Sequence, residues 1–214
     1  RIYAQHNLKA FHCGIIPPEA SGWFRKEIKS VDDLRGLKMR FFGLGAQVMQ
    51  KLGVSTQLLA AADIYPALER GVIDATEFSS PSIDLNLGFY QIAKHYYFPG
   101  WHQQSSVLEL LLNKKKHDAL SKQHQAMIEI TCGNSVKDIL ARGEFLQAGA
   151  LKALKAKGVI IHRWSPEFLA GVKKAWETVQ AEQIAKDPLF KEIHAHITAF
   201  RADYAVWKDH GYLQ

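Results

Sequence analysis

Cysteine is almost missing from this chain: two residues in 214, Cys13 and Cys132, with no C-x-x-C spacing. That scarcity removes the zinc-ribbon and dithiol-redox classes. The two could pair in an oxidising compartment, but nothing in the sequence brings residues so far apart together, so pairing is the less favoured reading and is left open. No run of 18 uncharged apolar residues occurs, so no helix is expected to span a bilayer. The opening Arg1-Ile2-Tyr3-Ala4 has neither the basic start nor the apolar stretch of a signal peptide, and none is read here. Catalytic signatures are missing too. There is no G-x-S-x-G, H-E-x-x-H or G-x-x-x-x-G-K, and Gly43-Leu44-Gly45 meets Val48 where a dinucleotide fingerprint needs its third glycine. Without paired carboxylates or a Cys-His set to supply a general base, a metal-assisted lyase or hydrolase is disfavoured, and the chain is read as not an enzyme. Basic residues exceed acidic ones, 27 to 21, for a net charge of +6. They are scattered, and the densest run, Lys114 to Lys116, is a solvated face rather than a nucleic-acid site.

What is present is an ordinary globular balance, 47% hydrophobic and 22% charged, enough for a sizeable core. The first 113 residues alternate short strands and helices punctuated by glycine. Ser30 precedes a short helix at Val31–Arg35 that stops at Gly36, and Leu37–Phe42 alternates as a strand. Gly43 to Gly45 turns into a helix ending near Gly53. The cycle repeats with a strand at 54–59, a helix capped by Asp63 and ended by Gly71, and a strand over Val72–Phe78. This is the rhythm of an α/β domain with right-handed crossovers. Ser105–Asn113 is the most apolar run and reads as a buried strand. Beyond it the chain is mainly helical. Ser121–Lys157 is one very long helix with Gly133 and Gly143 as candidate bends, Val159–Arg163 is a last strand, and Pro166 and Pro188 each open a helix.

Two polar residues stand out in the α/β part. Arg40 ends one strand and Glu77 lies near the C-terminal end of another, where open α/β sheets place their ligands. Either could be a plain salt-bridge residue. Together they suit an anion accompanied by a hard cation, because a guanidinium fork matches a carboxylate and a carboxylate oxygen suits sodium or calcium. The ten histidines offer no comparable pattern. His194 and His196 point to nearly opposite helix faces, and His117 and His124 read as surface residues.

Four ordered blocks carry a resemblance: Gly22-Trp23-Phe24-Arg25-Lys26-Glu27-Ile28, Leu34-Arg35-Gly36-Leu37-Lys38-Met39-Arg40, Gly71-Val72-Ile73-Asp74-Ala75-Thr76-Glu77, and Tyr96-Tyr97-Phe98-Pro99-Gly100-Trp101-His102. The chain resembles the DctP-type solute-binding proteins of TRAP transporters, in the branch binding 2-oxo acids and lactate, from about residue 10 to its end. The resemblance implies a periplasmic location, a two-lobed α/β fold, a small organic carboxylate as ligand and membrane permease subunits as partners. It makes Arg40 the carboxylate anchor, with Trp101 beside it, and assigns a cation (Na+ or Ca2+) to the Glu77 side chain, the Phe78 backbone and Gln103. Three departures follow. Phe78 replaces a usual tryptophan, Glu19 stands where glutamine is expected, and Pro81-Ser82-Ile83-Asp84 replaces a Pro-Tyr-Asn-Asp run. Relatives also carry a further stretch before the equivalent of residue 1 that supplies much of the first lobe, so a non-binding scaffold is the alternative reading.

In this frame residues 1–113 are mainly the second lobe with part of the cleft, 114–164 a connecting helix and returning strand, and 165–214 the C-terminal helices. Apolar stripes follow Pro166 (Phe168, Leu169, Val172, Ala175, Trp176, Val179) and Pro188 (Phe190, Ile193, Ile197, Phe200, Tyr204, Trp207). They imply a homodimer or a lobe-completing chain, joined partly through Phe200, Tyr204 and Trp207, unless they pack back on the long helix.

Overall fold

The computed structural model describes residues 2–212. The strands are β1 (Leu8–Ile16), β2 (Gly22–Phe24), β3 (Lys38–Arg40), β4 (Ser55–Gln57), β5 (Ala75–Thr76), β6 (His95–Phe98), β7 (Ser106–Asn113) and β8 (Ile160–Arg163). The α-helices are α1 (Gly43–Lys51), α2 (Ala61–Glu69), α3 (Pro81–Leu87), α4 (Lys114–Asp118), α5 (Lys122–Ala156), α6 (Pro166–Lys186) and α7 (Pro188–Gly211). Six strands form one sheet in the order β4-β3-β5-β2-β6-β8. β3 runs parallel to β4 and β5, β2 lies antiparallel between β5 and β6, and β8 returns parallel to β6.

Alternation along the strands divides the core between the two faces of this sheet. Phe24, Met39 and Tyr97 join Leu34, Phe41, Val48 and Met49 on one face, closed by Phe168, Val172, Ala175 and Val179 of α6. Trp23 and Tyr96 point the other way, into Ile64, Leu68, Ile73, Phe89 and Leu154. The α6 stripe is therefore consumed inside the chain rather than left for a partner. The Asp33 carboxylate accepts from the backbone N–H of Lys29 and Ser30 at 2.8 and 2.9 Å, fixing the turn that leads into β3.

Several elements differ from expectation. The strand over 72–78 shrinks to Ala75–Thr76, since β5 is central and only these two residues pair on both sides. Asp63 lies within the first turn of α2, whose N-cap is Ala60. β7 is not buried. It pairs only with β1, as an antiparallel two-stranded ribbon, and Val107, Leu108, Leu110 and Leu111 all stay partly exposed, Leu110 beside Met127 and Ile128 of α5.

β1 packs along α5, and there Cys13 and Cys132 form a disulfide. The pairing that the sequence left open and disfavoured is present: the two lie 119 positions apart in sequence, and the helix lying against the ribbon brings them together. His117 is also buried, under Phe11, rather than on the surface. α5 is a single helix of 35 residues. Gly143 serves contact in it, since a Cβ there would come within 2.7 Å of Pro17. α7 lies beside α6, and its Ile193, Ile197, Phe200, Tyr204 and Trp207 are exposed.

Candidate functional site

The site is built where β3 and β5 end side by side. Parallel pairing sets Arg40 opposite Thr76, so the next residue, Glu77, stands next to Arg40 at the carboxyl ends of both strands. Arg40 Nη1 donates to the Glu77 carbonyl at 2.7 Å and to Glu77 Oε2 at 2.9 Å. The Phe42 and Phe78 rings each lie 5.2 Å from the guanidinium carbon. Two aromatic faces thus hold the fork in plane. No hydrogen bond among the described residues engages Nη2.

A second segment arrives from the turn after β6. The Gly100 N–H donates to the Glu19 carbonyl at 3.0 Å, and a Cβ at position 100 would overlap that oxygen, so this approach requires glycine. The turn carries His102 and Gln103 to Glu19. Gln103 donates its amide to Glu19 Oε1 at 3.1 Å and also bonds the Ser106 hydroxyl. His102 Nε2 lies 3.5 Å from Glu77 Oε1 and 3.9 Å from Glu19 Oε2.

The electrostatics are unbalanced. Glu77 is 0% and Glu19 3% exposed, yet Glu77 Oε1, Glu19 Oε2 and both ring nitrogens of His102 have no hydrogen-bond partner. Burial, then the carboxylates of Glu77 and Asp84, push Glu19 up to about 8 against the pull of Arg40. Asp84, fully buried in α3, is raised to about 7 by desolvation even though Trp23 and Tyr96 each donate to its Oδ2 at 2.9 Å. One guanidinium offsets Glu77 and Glu19, while the third buried carboxyl group, Asp84, is held by Trp23 and Tyr96. Glu19, Glu77 and His102 offer ligand atoms all within 4.8 Å of one another, a set able to hold a cation.

Arg40, Glu77, Phe78, Glu19 and Gln103 are therefore brought together. Trp101 borders the cluster through His102, its ring 5.2 Å from the imidazole. It stacks on Phe41 and lines a neighbouring cavity of about 410 Å³ with Leu44, Val48 and Leu169. Two members of the constellation, His102 and Asp84, were missed. The signal for His102 was its place beside Trp101 in the fourth block; that for Asp84 was a lone carboxylate in an apolar stretch.

An open α/β sheet with an arginine and buried carboxylates at its strand ends is a ligand-binding arrangement. The chain belongs to family 7 of the bacterial extracellular solute-binding proteins, whose profile it matches over residues 19–187. It is 38% identical over 207 residues to a monocarboxylate 2-oxoacid-binding periplasmic protein of Nostoc sp., covering 97% of this chain and 57% of that protein. A TRAP transporter solute-binding protein of Bordetella bronchiseptica, a mixed-occupancy dimer with copurified calcium and picolinate, superposes with a TM-score of 0.92 at 39% identity. That match covers 96% of this chain and 61% of the other. One from Pseudoalteromonas atlantica, with bound sodium and pyruvate, gives 0.90 at 33% identity, covering 96% and 63%. The chain thus spans about three fifths of the length of these relatives.

Proposed function

We propose that this chain acts as the extracytoplasmic solute-binding component of a TRAP transporter, capturing a small 2-oxo or 2-hydroxy monocarboxylate together with a cation and delivering it to membrane permease subunits. The observation that carries this reading is the pair of buried carboxylates, Glu19 and Glu77, each with an unpartnered oxygen beside Arg40. Burying two such charges is costly unless a cation or a proton joins them. The donor set fits a hard cation of the sodium or calcium class, held by Glu77 and Glu19, with the Phe78 carbonyl and the Gln103 side chain as further oxygens and His102 facing the same point. Arg40 would take the ligand carboxylate through the edge that Glu77 does not occupy. The cation supplies charge balance and orients the acid. Residues 1–113 would then be mainly the second lobe with part of the cleft, 114–164 the connecting segment, and 165–214 the C-terminal helices. The Cys13–Cys132 disulfide agrees with an oxidising, extracytoplasmic location, and no helix of the described residues is long and apolar enough to cross a membrane.

Calorimetry with pyruvate in calcium-containing and chelator-treated, sodium-free buffers tests the proposal. Binding is expected only where a cation is supplied. Arg40→Lys is expected to cost about 2 kcal/mol, roughly thirtyfold in affinity, because an ammonium cannot reproduce the fork. Glu77→Gln is expected to remove the cation dependence. Equal affinities for parent and Arg40→Lys, or binding indifferent to cations, would overturn the assignment.

The exposed face of α7 supports a second copy of the chain as a further partner, joined through Phe200, Tyr204 and Trp207. Light scattering showing a monodisperse 24.1 kDa particle, unaltered by Trp207→Ala, would refute that dimer.

A further inference from the structure

A different pair of side chains, on β6 and β8, has the makings of a metal site unconnected with the carboxylates around Arg40. β6 and β8 are parallel neighbours, with His95 opposite Ile160 and Tyr97 opposite His162. His95 and His162 are two residues out of register, so both side chains stand on the same face of the sheet. Their ring nitrogens meet, His95 Nδ1 to His162 Nε2, at 3.0 Å. The His162 ring is fixed by stacking on Tyr97 at 4.4 Å with planes 10° apart. Behind it Tyr97 stacks on Trp164, and Trp164 on Phe168. Both imidazoles are half-buried, leaving one side to water.

With no ion present, one ring donates its N–H to the lone pair of the other. When the donor ring takes its other tautomer, with the proton on the nitrogen remote from the contact, both facing nitrogens present lone pairs, and two neutral rings can share one metal ion after a small reorientation. First-row ions bind imidazole nitrogen at about 2.0–2.1 Å, which puts two ligand atoms about 2.9 Å apart at a right angle and about 3.4 Å apart at the tetrahedral angle. The observed 3.0 Å is close to the right-angle value. We propose that His95 and His162 form a two-histidine chelate for a divalent transition metal of tetragonal preference, Cu2+ or Ni2+, with water completing the coordination shell.

No carboxylate closes the site as a third ligand: the one three-member cluster among the described residues is Glu19, Glu77 and His102. This keeps the selectivity with nitrogen-seeking ions and away from calcium and sodium.

Titration of untagged protein with Ni2+ and Cu2+, carried out on Glu77→Gln so that the carboxylate cleft does not contribute, tests the assignment. One ion per chain is expected, Cu2+ binding more tightly than Ni2+ and both more tightly than Zn2+. Either His95→Gln or His162→Gln is expected to abolish the step. Substoichiometric Cu2+ should broaden the NMR ring signals of these two histidines before those of the other eight, a readout that needs no variant at the pair. Uptake unchanged by both substitutions, tighter binding of Zn2+, or broadening that starts elsewhere would overturn the chelate. Loss of pyruvate binding in Glu77→Gln bears only on the cleft.

Discussion

The six-stranded sheet and the β1/β7 ribbon treat apolar strand residues in opposite ways, although β7 carries the most apolar run. In the sheet both faces are covered, and Trp23, Tyr96 and Met39 are essentially inaccessible. In the ribbon β1 packs on α5, whereas on the face of β7 turned away from α5 Val107 is 54% and Leu111 43% exposed. Hydrophobicity of a strand predicts burial only when a second layer is available to cover it. The ribbon is held by hydrogen bonds, one helix and a disulfide. The sheet is held by two packed cores.

The largest effect should come from attacking the sheet. Trp23→Ala removes a ring stacked 3.7 Å from Tyr96 and strands a hydrogen bond to Asp84. A loss of about 3–5 kcal/mol is expected in denaturant unfolding, increased by the unpaired carboxyl group. A smaller loss would mean that the sheet is no tighter than the ribbon.

Next in size is a pH effect confined to the sheet side. Desolvation raises Asp84 from 3.8 to about 7, so between these values the folded state keeps a proton that the unfolded state has released. Stability from this group is therefore full below about pH 4 and falls as pH rises to about 7, by roughly 4 kcal/mol in all. Glu19, raised by the same causes, acts in the same direction. Urea melts of Asp84→Asn should show a shallower decline with pH, and an unchanged slope would remove Asp84 as its source.

The ribbon should respond to its disulfide. Replacing Cys13 and Cys132 by serine is expected to cost about 2–4 kcal/mol, with faster hydrogen exchange in β1 and β7 than in β3 or β6. Equal acceleration in both regions would show that they unfold as one unit. The smallest effect is expected at the bare face of β7, where Leu111→Ser should stay within about 0.5 kcal/mol in the same melts. A greater loss would mean that this face is covered in solution.

The same contrast decides what could be read in advance. Strands, glycine-ended helices and the Arg40–Glu77 pair were legible because each leaves a local mark: alternation, a cap, a charge at a strand end. The α6 stripe was legible as a stripe, but its destination was not, since spacing reports a face and not what covers it. His102 reaches Glu19 and Glu77 through a turn whose course depends on Gly100 meeting the Glu19 carbonyl, a contact across 81 residues. The pairing of Cys13 with Cys132 depends likewise on where α5 lies. Local chemistry was readable, and long-range meeting was not.

The long helix α5 couples the two regions mechanically. Leu154 near its end is locked in the sheet core, while Cys132 near its start is tied to β1. They lie 22 positions apart, a span of roughly 33 Å at about 1.5 Å per residue. A stiff rod of that length magnifies angle into displacement: a tilt of about 5° at the Leu154 end carries the far end roughly 3 Å. Small repacking around Leu154, close to Trp23 and Tyr96 and so one side chain from Asp84, would be delivered to the ribbon as a movement several times larger than its source.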